Sequence, residues 1–192
     1  MQNAIIIPGL GDHAGITAWT TKRWLSHGLN PIIYPMSWND GEEFKPKLEG
    51  LLEKIDEYAS TGEKLSLIGC SAGASAALNA FCGRKDRINK VISICGRLRT
   101  GSQTGFRSLK SRARSSPAFK QSVELFESRQ PLLSAQDKKK IITVSAKFGD
   151  ELVPANTSAI EGCCNIDIPI MEHTIAIYTA LTVFYGRLIS FV

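Results

Sequence analysis

The stretch Lys64-Leu65-Ser66-Leu67-Ile68-Gly69-Cys70-Ser71-Ala72-Gly73-Ala74-Ser75-Ala76-Ala77-Leu78-Asn79-Ala80-Phe81 changes its periodicity halfway along. Up to Ile68 it alternates and ends apolar, as a buried strand does, and from Ala72 onward it is dominated by small, helix-forming residues. A strand that passes into a helix within a few residues needs a sharp turn, and Gly69-Cys70-Ser71-Ala72-Gly73 supplies one in the pattern G-x-S-x-G. Glycine is required two residues to either side of the serine because a Cβ there would collide with the adjoining strand or helix, and the turn forces the serine itself into a strained backbone conformation. The strain lifts the Ser71 hydroxyl above the sheet.

Outward from this turn, strand and helix signals alternate along the whole chain. Strands are expected near residues 3–8, 31–34, 64–70, 90–96, 140–146 and 165–171, with helices near 17–28, 43–60, 72–82 and 175–190 and a short turn or helix near 155–161. Alternation of this kind predicts a three-layer αβα fold, doubly wound around a mostly parallel six-stranded sheet. At 192 residues and 43% hydrophobic content the chain is expected to form one domain spanning 1–192. A flavodoxin-like or Rossmann sheet is the alternative, but Pro8-Gly9-Leu10-Gly11-Asp12 lacks the third glycine of G-x-G-x-x-G and no acidic residue follows Ile32-Ile33-Tyr34-Pro35 suitably.

Three further fragments surround the serine turn. Ala4-Ile5-Ile6-Ile7-Pro8-Gly9-Leu10-Gly11-Asp12 reads as a buried parallel strand entering a glycine-rich turn, Lys140 to Ala146 as a strand followed by Gly149-Asp150-Glu151-Leu152-Val153-Pro154, and Ile166-Asp167-Ile168-Pro169-Ile170-Met171-Glu172-His173 as a short strand ending in histidine. With these pieces the chain resembles the α/β-hydrolase family over nearly its whole length, as a small lipase- or esterase-like serine hydrolase without a cap domain. The resemblance implies that G-x-S-x-G is a nucleophile elbow, that Ser71, Asp150 and His173 are nucleophile, acid and base in the family's chain order, and that the sheet runs 2-1-3-4-5-6. It also implies an oxyanion hole made by the backbone amides of Leu10 and Ala72. The chain departs from the family in having Pro8-Gly9 where many lipases and esterases have histidine-glycine, and in a short separation between Asp150 and His173.

The residues support the same chemistry on their own terms. A serine hydroxyl needs a base within hydrogen-bond reach, and only three histidines exist: His27 near the end of the first expected helix, His13 after the glycine turn, and His173 after the last strand. His173 is best positioned as that base, and Asp150 as the acid that fixes its tautomer, with Asp167 the alternative inside the last strand. Asp12 and His13 border the glycine turn and are candidate substrate contacts, with a turn or cap role as the alternative. Cys70 occupies the x position of the elbow and is expected to be structural.

Composition narrows the setting. Five cysteines, an odd number placed mostly inside expected strands and helices, favour reduced thiols, and neither a charged n-region with an apolar h-region nor an uninterrupted span of about 18 apolar residues is present, so a cytoplasmic protein is expected. Residues 97–139 form a lid-like insertion whose Arg97, Arg99, Arg107, Lys110, Arg112, Arg114 and Lys120 precede any acidic residue until Glu124 and account for more than the net charge of +5. A solvated, mobile lid face is the expectation, with an anionic acyl substrate or weak contact with an anionic surface as functional readings. Nucleic acid is not expected as a partner, because only Phe106 and Phe119 accompany the charges. The expected activity is cleavage of a small-molecule or lipid-like carboxylic ester through an acyl-enzyme, with no metal or organic cofactor. The alternatives are a thioesterase, an amidase or depsipeptide hydrolase using the same triad, or a non-catalytic interaction protein that keeps the fold. Oligomeric state is left open.

Overall fold

Ala4, Ile5, Ile6 and Ile7 are all fully buried, which requires packing on both faces of their strand. In the computed structural model, which describes residues 1–59 and 64–190, this strand, β1 (Gln2–Ile7), lies inside a six-stranded sheet with β2 (Leu29–Ile33), β3 (Leu65–Cys70), β4 (Ile88–Ile94), β5 (Ile141–Ala146) and β6 (Cys164–Ile168). The order is β2-β1-β3-β4-β5-β6 and every pairing is parallel. Pro31 sits in β2, an edge strand, where its missing N–H is tolerated.

Alternate residues of the strands feed two separate cores. Ile5, Ile7, Leu65 and Leu67 face α2 (Phe44–Tyr58) and α3 (Ala72–Gly83), while Ala4, Ile6, Ile68 and Ile94 face Trp24 and the C-terminal helices α7 (His173–Thr182) and α8 (Tyr185–Ile189). Each fully buried isoleucine contributes about 1.5–3 kcal/mol relative to an exposed one. The first helix region divides into α1 (Ala14–Thr21) and a 3-10 turn (Lys22–His27), ended by Gly28 at φ 81°. The turn leaves Trp24 buried, its Nε1–H donating to the Leu181 carbonyl at 3.1 Å.

Several boundaries differ from the sequence expectation for identifiable reasons. β4 stops at Ile94 because Cys95 turns to φ 48°, and β6 stops before Pro169, which has no N–H to continue a ladder. The expected single C-terminal helix breaks at Val183, where the Phe184 amide reaches back five residues to the Thr179 carbonyl. The expected end of the second helix at Ser60 lies outside the described residues.

Residues 97–139 are more structured than a lid. They carry α4 (Leu109–Arg112), α5 (Pro117–Arg129) and α6 (Ala135–Lys138), and α5 is a helix of the core layer. Ala118, Phe119, Val123 and Phe126 are buried with α2 and α3. A polar seam fixes α5 on α3: Ser75 Oγ and Ser122 Oγ are 2.7 Å apart, and Asn79 Nδ2 donates to the Ser122 carbonyl at 2.8 Å. All five cysteines are free, and no helix among the described residues is long and apolar enough to cross a membrane.

Candidate active site

The β3–α3 turn holds Ser71 at φ 53°, ψ −116°, a backbone state that costs a non-glycine residue about 1–3 kcal/mol. Its surroundings over-determine it. The Ser71 amide donates to the Ile94 carbonyl at 2.9 Å, which carries the strand pairing one residue into the turn. A Cβ on Gly69 would lie under 3.0 Å from the Ala74 backbone, and one on Gly73 equally close to the carbonyl oxygens of Ile7 and Pro8. Gly9, from the loop after β1, packs against the serine so closely that a Cβ there would meet Ser71 Cβ at 3.0 Å. Steric exclusion on three sides therefore fixes where the hydroxyl points.

The hydroxyl meets a histidine. His173 Nε2 is 2.9 Å from Ser71 Oγ, and His173 Nδ1 is 2.7 Å from Asp150 Oδ2. Asp150 has its two oxygens in different roles: Oδ1 accepts from the amides of Leu152 at 2.9 Å and Val153 at 2.7 Å, leaving Oδ2 to the imidazole. His173 opens α7, and two acids tie down that helix start. Glu172 accepts from the amides of Thr174 and Ile175, and Glu151 Oε2 accepts from the amide of His173 itself at 3.1 Å. Burial alone would raise the Glu172 carboxyl, but these amide donors and His173 outweigh it and hold it below its ordinary value. Ser71, His173 and Asp150 thus form one hydrogen-bonded chain drawn from the ends of three strands. Such a chain can take a proton from the serine and stabilise the imidazolium that results.

A cavity of about 190 Å³ opens over the serine, bordered among others by Leu10, His13, Cys70, Arg112, His173 and Tyr178. The amides of Leu10, after β1, and Ala72, at the first position of α3, have no hydrogen-bond acceptor among the described residues. His13 lines the cavity, whereas Asp12 does not: its oxygens accept from the amides of Met36 at 3.0 Å and Trp38 at 2.9 Å, tying the first loop to the segment after β2. Asp167 is exposed on the edge strand β6, and His27 pairs with Tyr185 far along the chain from Ser71. Cys70 borders the cavity although almost wholly buried, and burial pushes its thiol up to about 12, which leaves it unreactive at neutral pH.

Cys95 lies beside the acid–base pair, and one donor atom from each of Cys95, Asp150 and His173 falls within 4.8 Å of the others. Burial, reinforced by the negative charge of Asp150, pushes the Cys95 thiol far up.

What sequence reasoning missed is the role of three arginines that it had counted only as charge of the basic segment. Arg97 is 1% exposed and donates to the carbonyls of Arg107 at 2.6 Å, Thr100 at 2.6 Å and Arg99 at 3.3 Å. Arg99 reaches the carbonyls of Asn156 and Ala159, and Arg107 donates to the carbonyl of Asp150 at 2.7 Å. Arg97 thus ties its own segment together and Arg99 and Arg107 join it to residues 150–159, while Lys110, Arg114 and Lys120 are exposed as expected of a solvated face. The signal available in the sequence was position: Gly96-Arg97-Leu98-Arg99 follows directly on β4, where the loops carrying the site converge.

No family model matches the sequence, and no curated protein matches it. Solved structures do. A lipase of Bacillus licheniformis, BlEst2 in its mature form, superposes with a TM-score of 0.74 at 15% identity, covering 98% of this chain and 91% of the lipase. The chain has the α/β-hydrolase fold. Est1E from Butyrivibrio proteoclasticus is similar at TM-score 0.68 and 17% identity, covering 98% of this chain and 88% of its own. A thioesterase domain from the curacin biosynthetic pathway gives 0.67 and 12%, with 98% and 91% covered.

Proposed function

We propose that this chain is a serine hydrolase that cleaves carboxylic esters through an acyl-enzyme. The observation that carries the reading is the continuous hydrogen-bonded chain Ser71–His173–Asp150 ending at a serine in a strained elbow beneath a cavity. Ser71 Oγ attacks the ester carbonyl carbon as its proton passes to His173 Nε2. The oxyanion that forms is held by the amides of Leu10 and Ala72, which have no hydrogen-bond acceptor among the described residues. Collapse of the tetrahedral species breaks the bond to the alcohol oxygen, which takes the proton from His173 and leaves. Water then attacks the acyl-enzyme, gives a proton to His173, and the acid departs as Ser71 recovers its hydrogen. Asp150 keeps Nδ1 protonated throughout and offsets the imidazolium charge.

The test is a fluorophosphonate probe together with short p-nitrophenyl esters. Wild-type protein is expected to take up one label per chain on Ser71 and to turn over the esters. Ser71→Ala and His173→Ala should each lower turnover by at least about 10³-fold while leaving thermal unfolding nearly unchanged, because members of such a unit fail together. Matched thioesters and anilides in the same panel rank the acyl-transfer alternatives. Absence of both labelling and turnover, with folded protein, refutes the reading and favours a non-catalytic role.

A further inference from the structure

Four arginines lie between residues 97 and 112, and three of them have partners. Arg97, Arg99 and Arg107 all donate to backbone carbonyls. The fourth, Arg112, is different. It is half-buried at the end of α4, lines the cavity over Ser71 together with His13, and its side chain makes no hydrogen bond or ion pair among the described residues. Its guanidinium carbon lies over the Phe106 ring, 4.9 Å from the centroid, a contact that consumes none of its N–H donors.

No carboxylate lines this cavity to neutralise it. The acids of the surrounding loops are engaged elsewhere: Asp12 with Met36 and Trp38, Asp150 with His173, Glu151 with the His173 amide, and Glu172 with the start of α7. A half-buried, charged, donor-rich group without a counter-charge lowers the free energy of any anion placed beside it, and its planar fork matches a carboxylate. At about 190 Å³ the cavity is also smaller than the roughly 300–1,000 Å³ of sites for drug-sized ligands, so the group it receives is short.

Resting on the proposed ester hydrolysis, we propose that the substrates are short esters bearing a free carboxylate, which Arg112 binds with His13 beside it while Ser71 attacks the ester carbonyl. The carboxylate belongs either to the acyl part, as in a dicarboxylic half-ester, or to the alcohol part, as in an acylated hydroxy acid.

The experiment uses both types, each against a neutral counterpart. Monomethyl adipate and 4-acetoxybutanoate are compared with the same esters in which the free carboxylate is a primary carboxamide, with acid release followed by pH-stat. Wild-type protein is expected to favour at least one anionic ester by about ten- to a hundredfold in kcat/KM, the range of a charge-assisted hydrogen-bonded pair, and to lose part of that preference in high salt. Arg112→Gln should collapse the ratio toward one, chiefly through KM, and Arg112→Lys should restore part of it. Arg114→Gln, an exposed charge of the same segment, should leave the ratio as it is. Which ester shows the preference assigns the carboxylate to the acyl or the alcohol side. Equal rates on charged and neutral esters, or a ratio indifferent to Arg112, overturns the inference while leaving ester hydrolysis intact. Binding of monomethyl adipate to Ser71→Ala, measured by calorimetry with and without Arg112→Gln, separates the two readings. Arg112-dependent binding to Ser71→Ala, found alongside a wild-type protein that neither turns over esters nor takes up the fluorophosphonate label, upholds anion recognition and refutes the hydrolase, whereas absence of Arg112-dependent binding overturns anion recognition.

Discussion

Replacing Arg97 with leucine tests whether the basic segment is architecture or a solvated lid. The guanidinium is 1% exposed, and its two short bonds, 2.6 Å to the Arg107 carbonyl and 2.6 Å to the Thr100 carbonyl, join the ends of the loop that follows β4. Bonds from a charged donor are worth about 1.5–3 kcal/mol each, so the gross loss is about 3–6 kcal/mol. Leucine also removes the cost of keeping a cation out of water, a cost seen in the lowering of Arg97 below its ordinary value by burial, with Arg107 and Arg112 adding repulsion. The net expectation is a loss of about 2–4 kcal/mol, or roughly 5–15 °C in Tm for a chain of this length. Arg97→Lys, which keeps the charge but cannot fork to two carbonyls, should fall between. Freed from Arg97, the Arg107 backbone no longer fixes the side chain that holds the Asp150 carbonyl, so kcat toward small esters should fall at temperatures where the variant is fully folded. Thermal unfolding by circular dichroism and hydrogen exchange across residues 97–107 are the measurements. A Tm change under about 2 °C, or unprotected amides in that loop of the wild type, refutes the reasoning.

Two other outcomes follow from the geometry. Gly73→Ala should fail to accumulate as folded protein, or lose more than about 3 kcal/mol in urea unfolding, because its Cβ would come under 3.0 Å from the carbonyl oxygens of Ile7 and Pro8 in β1 and its loop, where no flexible side chain can yield. Stability should be flat between about pH 5 and 8, decline above that range as the thiols that burial raises in the folded state ionise in the unfolded chain, and decline below it. Asp56, held down chiefly by Arg84, and Asp137 and Glu172, whose hydrogen-bonding partners outweigh burial, all have folded-state values below their ordinary 3.8 or 4.5. Groups lowered in this way contribute stability that is present above their unfolded values and is lost as pH falls through the folded ones, so Asp137→Asn should flatten the acid limb of a urea-midpoint profile, and an unchanged limb would contradict the assignment.

The sheet was legible because its inner strands are buried on both faces, so that Ala4 to Ile7 reads as a continuous apolar run and Leu65 to Ile68 as an apolar one broken only by the buried Ser66. The strand order came with the family resemblance rather than from any single strand. What could not be read were the places where backbone torsion overrides propensity. Cys95 ends β4 at a positive φ that nothing in its identity announces, and Val183 interrupts a helix whose composition continues. α5 was missed for a different reason. Pro117 to Arg129 carries so many polar residues that its four buried apolar positions do not stand out, yet Ser122 and the α3 residues Ser75 and Asn79 satisfy one another in the interface and make a polar helix face burial-competent.

The site divides along the same line. Positions near Gly69 to Gly73 were readable because steric exclusion leaves so few residue types possible there, and the geometry around Gly69 and Gly73 gives that exclusion its partners in α3 and β1. In the acid loop Asp150 could be picked out by its place after the fifth strand, but not what holds it, because it is placed by bonds to backbone and backbone carries no sequence signature. Its Oδ1 is held by the amides of Leu152 and Val153, its carbonyl by Arg107, and Arg107 in turn by Arg97. A charge count over residues 97–120 cannot distinguish an arginine that meets solvent from one that meets carbonyls, since the two share the same letter and the same neighbours in sequence. The distinction lies in which arginine runs out of carbonyls. Arg97, Arg99 and Arg107 find them and become scaffold, while Arg112, lying over an aromatic ring at the cavity wall, does not and keeps its donors for a ligand.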